Sequence, residues 1–304
     1  MGMSSMPERR GSLVWRRQDT RVAYLMLAPA LIVLAIFVLW PLVTAGYRSF
    51  FDWNFYIEST FVGLKNFRNV VSDPAFLASI GRGLTFAAIV VPAQLVIAFV
   101  FASLAKSVTQ RVSTLLKISI YIPAVISGAI ASIVFTIIYA YRGGLANWLL
   151  GLVGLEPRGW LSDPSTALIA IAIPAIWMTL GLTSLILLAG ILDIPQSYYE
   201  AASIEGANWW QKTRYITIPQ VKNVLIYLLI TNTTVAVQQY ELPLIMTDGG
   251  PLESTLLPNL FIFNHFRNDR SVGFSLAAAF LLFIVVGAVS ALMFRLFSSE
   301  KSGE

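Results

Sequence analysis

Residues 164–192 read PSTALIAIAIPAIWMTLGLTSLILLAGIL, 29 residues without one charged side chain. A helix that crosses the hydrocarbon of a bilayer needs about 20 mostly apolar residues, so this run is long enough to span. Working outward from it, charge-free runs recur at 22–47, 83–105, 118–141, 223–240 and 271–294. The run ending at Tyr240 has 18 residues and reaches Met246 if Glu241 is taken into the span. A further stretch, 143–155, is short and glycine-rich and reads as an interfacial segment. The pattern predicts an all-α integral membrane protein with six transmembrane helices, at about 22–47, 83–105, 118–141, 166–192, 223–246 and 271–294.

Composition agrees. Of 304 residues, 57% are hydrophobic and 12% charged, with a mean hydropathy of +0.72. A soluble domain carries about 25% charged residues, and disordered chains are polar, so both classes are excluded. The net charge of +5 would suit nucleic acid, but the positive residues are scattered among hydrophobic spans, which favours the membrane reading. Lys and Arg hold loops on the cytoplasmic side of a membrane. With both termini inside, the inner segments carry 13 basic residues and the outer loops 8. Arg9, Arg10, Arg16, Arg17 and Arg21 precede the first run, as in a signal peptide. The 26 uncharged residues that follow exceed the usual apolar core of about 7–15, so a retained span is expected. There is no cysteine, and His265 is the one histidine, expected at the surface of an outer loop. No metal site and no catalytic cluster are expected.

The segment between the fourth and fifth runs, Ile194 to Pro219, reads IPQSYYEAASIEGANWWQKTRYITIP. Ser197 and Glu200 stand at capping-box spacing, so a helix is expected to begin there. Gly206 supplies a left-handed stop. Asn208 with Gln211 offers a second cap, and Pro219 is expected to close the second helix. Ile204, Trp209, Trp210 and Tyr215 are costly in a bare loop. Their aromatic rings suit either lipid headgroups or a protein partner, and the physics alone leaves the two even.

The spacing settles the matter by resemblance. Glu200-Ala201-Ala202, then Gly206, Ile216 and Pro219, resembles the Glu-Ala-Ala loop of permease subunits in binding-protein-dependent ABC importers. The departure is Ile218 where that pattern has Leu. Residues 62–67 (VGLKNF) and 72–76 (SDPAF) are similar to the first outer loop of carbohydrate permeases, and Thr247-Asp248-Gly249-Gly250-Pro251 to a segment of their maltose-type first subunit. The resemblance implies a type I ABC importer permease fold over residues 22–296, with cytoplasmic tails at 1–21 and 297–304. It implies that 194–219 couples to an ATPase through Glu200, Ala201, Ala202, Gly206, Trp209, Trp210, Ile216 and Pro219. The phosphate-cradling Gly-x-x-x-x-Gly-Lys-Ser/Thr pattern is absent. The chain is therefore expected not to be an enzyme and to bind no cofactor, with ATP and Mg held by the partner ATPase. The implied partners are a second homologous permease, two ATP-binding subunits and an extracytoplasmic solute-binding protein. The implied setting is a bacterial or archaeal cell (inner) membrane.

For the substrate path, Asn232, Val235, Ala236 and Gln239 follow i, i+3, i+4, i+7 and form one helix face. Two amides beside small or branched apolar groups suit sugar hydroxyls and ring faces. Counted from the coupling loop, these positions, and Met178, Thr179 and Leu182 on the fourth span, correspond to sugar-contacting ones in maltose-type permeases. Asn and Gln also join membrane helices to each other, and both readings stand. Glu241 shares another stripe with Thr234 and Gln238 and suits a gate, an interhelix contact or a proton relay. The alternatives to a sugar importer are a stand-alone ion-coupled carrier and a glycerol-phosphate-type ABC permease.

Overall fold

The computed structural model describes residues 12–54, 57–268 and 271–298. Residues 1–11 of the expected N-terminal tail and 299–304 of the expected C-terminal tail lie outside them. Among the described residues the regular elements are helices except for one hairpin. Helix α1 (Ser12–Leu34) passes through a wide π turn into α2 (Trp40–Arg48). The hairpin of β1 (Phe51–Asn54) and β2 (Ile57–Phe61) is antiparallel, with Phe51 opposite Phe61. Asn66, in α3 (Lys65–Val71), donates to the carbonyls of Ser49 and Phe51, both at 2.9 Å, and pins the hairpin.

Helix α4 (Pro74–Ser107) starts at the Asp73 cap, which accepts from the Ala75 and Phe76 amides. That is nine residues before the expected span, because a capped helix tolerates a half-buried Arg82 paired with Glu253 at 3.4 Å, whereas counting uncharged residues stops there. Helices α5 (Gln110–Tyr121) and α6 (Gly128–Ile138) meet at 98° through a 3-10 turn that contains Pro123. The short α7 (Leu145–Leu152) occupies the segment read as interfacial. Its Asn147 is tied to the 158–160 loop by the Arg158 amide and the Trp160 indole, both donating to its Oδ1.

Helix α8 (Pro164–Leu192) is capped by Asp163. The Ser165 amide and hydroxyl donate to that carboxylate and hold its pKa below the usual carboxylate range. After α9 (Gln196–Ile204), α10 (Trp209–Lys212) and α11 (Ile218–Gln220) come α12 (Lys222–Val237) and α13 (Glu241–Thr247). Helices α14 (Pro258–Arg267) and α15 (Val272–Ser298) complete the chain.

Among the described residues, four helices are long and apolar enough to cross a membrane: Thr20–Arg48, Pro74–Ser107, Pro164–Leu192 and Val272–Ser298. The bent α5–α6 pair makes a fifth if taken as one span. The expected span at 223–246 is divided between α12, of 16 residues, and α13, of 7. The division has a local cause: the Gln239 side-chain oxygen accepts from the Tyr240 and Glu241 amides at 2.9 and 3.1 Å and so starts a new helix.

Helices α4 and α8 form the centre of the bundle, with α12 against α4 and α15, and α13 against α6. Ala98, Ala102 and Ala105 of α4 are buried against Leu187, Leu188 and Ile191 of α8. Small residues let two backbones approach closely where lipid supplies no hydrophobic drive. Thr247 and Thr255 share a hydrogen bond of 2.7 Å across the turn after α13, where Gly249 has φ +83° and Asp248 φ +49°. His265 is no bare surface residue: its ring packs on Phe261 and Phe274, with centroids 4.2 and 5.0 Å away.

Candidate functional site

The loop between α8 and α12 is a short helix–turn–helix. Helix α9 begins one residue before Ser197, with Pro195 at its cap and no side-chain cap bond, so the expected box at Ser197 and Glu200 does not form. Pro195 has its φ fixed at −55° with ψ 131°, the extended backbone of a cap position, and Ile194 before it is buried. The stop is as expected: Gly206 has φ +77°, and the Ala207 amide reaches the Ala202 carbonyl at 2.9 Å while that of Gly206 reaches Ser203 at 3.1 Å. These are the paired bonds of a Schellman motif.

Asn208 and Gln211 then form a complete capping box. The second arm ends at Gln220, one residue past Pro219. A π turn at Thr213–Thr217 leads into α11 and, after Val221, into α12. The loop's outer face carries Ile204 at 86%, Trp209 and Trp210 at 64% and Tyr215 at 72% exposure. Glu200 and Ala201 are exposed as well, with Ala202 and Ile216 half-buried.

A second site lies deeper in the bundle. Asn232, Val235 and Ala236 of α12, Gln239 in the break, and Thr179 of α8 line one narrow cleft of about 20 Å3. Gln239 thus reaches the expected face although the helix has already stopped at Val237. Met178, Leu182 and Glu241 are not in this lining. Met178 packs into the core, and Leu182 is 55% exposed.

Helix α4 supplies Phe86, Val90 and Gln94 to the cleft, residues outside the face expected from the sequence. Gln94 is 1% exposed and donates to the Thr183 hydroxyl at 2.6 Å, while Asn232 donates to the same oxygen at 3.3 Å. Thr183 in turn donates to the Thr179 carbonyl at 3.1 Å. The available signal for Gln94 was a lone amide in an apolar run, since polar groups in hydrocarbon are expensive unless they face a partner or a cavity.

The stripe of Thr234, Gln238 and Glu241 disperses. Thr234 meets Ser290 of α15 at 3.5 Å, and the Gln238 carbonyl accepts from Asn259 at 2.7 Å. The Glu241 carboxylate packs on Gly128 at the start of α6, in space that a Cβ at Gly128 would fill.

Residues 94–302 match the family described as binding-protein-dependent transport system inner membrane component. The chain is 33% identical to the trehalose/maltose transport system permease protein MalF of Thermococcus litoralis over 88% of its own length and 91% of the relative's. It is 30% identical to the lactose transport system permease protein LacF of Rhizobium radiobacter, covering 89% and 92%. It is also 30% identical to the sulfoquinovosyl glycerol transport system permease protein SmoG of Agrobacterium fabrum, covering 93% and 92%. Among solved structures, a chain of a bacterial ABC transporter that imports the acidic polysaccharide alginate superposes with a TM-score of 0.80. That match has 19% identity and covers 95% of this chain and 99% of the other, a likeness of fold.

Proposed function

The chain belongs to the family of binding-protein-dependent transport system inner membrane components, and from that premise we propose that it forms half of the pore of an ATP-driven sugar importer. The observation that carries this reading is the cleft. Amides and hydroxyls of Gln94, Thr179, Asn232 and Gln239 converge there beside the Phe86 ring and Val90, with no charged side chain in the lining. Such a surface suits a neutral polyol with apolar ring faces, and the trehalose/maltose and lactose systems of the relatives support a carbohydrate. The same uncharged lining speaks against a glycerol-phosphate-type ligand. An ion-coupled carrier would use Glu241 as its relay, but that carboxylate packs on Gly128, outside the cleft lining.

In this reading residues 22–296 are the permease domain, both termini are cytoplasmic, and a second homologous permease completes the pore. Two separate ATPase subunits hold ATP and Mg, and an extracytoplasmic binding protein delivers the sugar. The face formed by Glu200, Ala201 and Ala202, with Trp209 and Trp210, docks on the ATPase, where Glu200 pairs with a basic group and the rings act as anchors. Ile216 and Pro219 carry the movement into α12. Binding protein and ATP then bias an inward–outward equilibrium through their unequal affinity for its two states.

The test is uptake of labelled oligosaccharide into proteoliposomes holding the whole complex. Uptake is expected to require ATP and the binding protein. Asn232→Ala or Gln239→Ala should raise KM several-fold, the equivalent of about 1 kcal/mol for one neutral hydrogen bond. Uptake by this chain alone under an ion gradient would overturn the reading.

A further inference from the structure

At the loop end of the bundle a single ammonium touches three elements. Lys106 lies in the last turn of α4. Its Nζ donates to the Ile191 carbonyl, one residue from the end of α8, at 3.3 Å. It also sits 4.0 Å above the centre of the Tyr199 ring in α9. Both contacts are favourable for one reason of charge. The last carbonyls of α4 and α8 lack helical partners and carry the negative ends of their dipoles, and the face of an aromatic ring is negative as well.

The chain of contacts continues. The Tyr199 hydroxyl is 3.0 Å from Thr217 Oγ1, across to the second arm of the loop. Thr217 is buried in the π turn that leads through Val221, 1% exposed, into α12. Lys106 therefore joins α4, α8 and α9 directly, and α12 through Tyr199. Helices α4, α8 and α12 are the ones that supply Gln94, Thr179 and Asn232 to the cleft.

We propose that Lys106, acting through Tyr199, is the positioning residue that locks the coupling loop to the three helices of the cleft, so that a displacement of α9 moves all three together. The inference rests on the permease reading and assigns a place where its coupling is transmitted. Without the ammonium, α9 can shift while α4 and α8 stay in place, and ATP is then consumed without transport.

Two measurements test this. In the reconstituted complex, Lys106→Met keeps the aliphatic stem and removes the charge. ATP hydrolysis and co-purification of the ATPase should stay near wild type while sugar moved per ATP falls at least about fivefold, the lower range of typical coupling between sites. Lys106→Arg should restore most of it, and Tyr199→Leu should reproduce the loss from the loop side, including in the case that the Lys106→Met chain fails to assemble. The double variant should be no worse than either single one. In the purified full chain, which has no cysteine of its own, cysteines placed at Ser103 and Ser203, which line the same groove as Lys106 and Tyr199, report the joint by crosslinking. Their yield should fall in Lys106→Met. Hydrolysis and uptake falling in proportion, or crosslinking and uptake per ATP both unchanged, would overturn the joint. A wild-type complex that shows no ATP-driven uptake would overturn the permease reading instead, and the crosslink would then decide the joint by itself.

Discussion

Gly206 is where one residue's backbone decides a loop. With φ +77° it occupies the left-handed region, and a Cβ added there would meet no atom within 4 Å. A substitution therefore carries a backbone cost alone, about 1–2 kcal/mol for an ordinary L residue and less for Asn, whose short polar side chain tolerates that region. ATP-driven uptake should rank Gly206 above Gly206→Asn, then Gly206→Ala, with Gly206→Val lowest, as measured in proteoliposomes. Normal uptake with Gly206→Val would remove the loop from the coupling path. The left-handed stop was legible in the sequence because a Schellman end is local. The same residues misled at Ser197, where a fixed-φ proline and a buried isoleucine set the helix start before any side-chain cap was needed.

At the scale of elements, α4 and α8 share a polar lock inside an apolar interface. Gln94 is buried, and its side-chain amide rests on Thr183 at 2.6 Å. Removing one partner leaves the other unsatisfied at a cost of about 1–3 kcal/mol, whereas removing both with shape kept can be nearly neutral. Thr183→Val should lower the thermal midpoint of the detergent-purified chain clearly, and adding Gln94→Met should recover part of the loss. Equal or additive losses would mean that the bond contributes little to helix pairing. Gly181, also on α8, sets the opposite limit: a methyl there would strike the Ile120 carbonyl and approach the Tyr121 Cα to 2.9 Å, so α5 can cross only at a glycine. Neither contact is visible in the periodicity of one segment, because the partners lie 60 or more residues apart in sequence.

Across the whole molecule, the first span stands apart. None of the described side chains from Thr20 to Arg48 is buried, whereas the apolar stretches of α4 and α8 are 33% and 39% buried. Leu25, Met26 and Phe37 are each more than 70% exposed. A helix this apolar is covered by lipid or by another chain, and the half-pore proposed above calls for another chain. The cysteine-free sequence makes this easy to examine. Single cysteines at Met26 and Phe37, in membranes that hold the complete transporter, should crosslink to the second permease. Crosslinks solely to lipid-reactive probes would leave that span outside the subunit interface.

Membrane embedding and the coupling-loop motif were determined by the sequence by itself, because transfer of a 20-residue window into hydrocarbon is a sum over local side chains and caps bond within a few residues. Asn232, Val235 and Ala236 were legible for the same reason, since they follow one helical repeat, whereas Gln239 joins them from the break after Val237. Only the tertiary structure decided that Gln94, bonded to Thr183, joins that cleft, that the 118–141 and 223–246 runs are broken, and that Lys106 closes three elements over the loop. Those outcomes depend on which distant backbones approach closely enough for one buried donor to find its acceptor, and no window of neighbouring residues contains that distance.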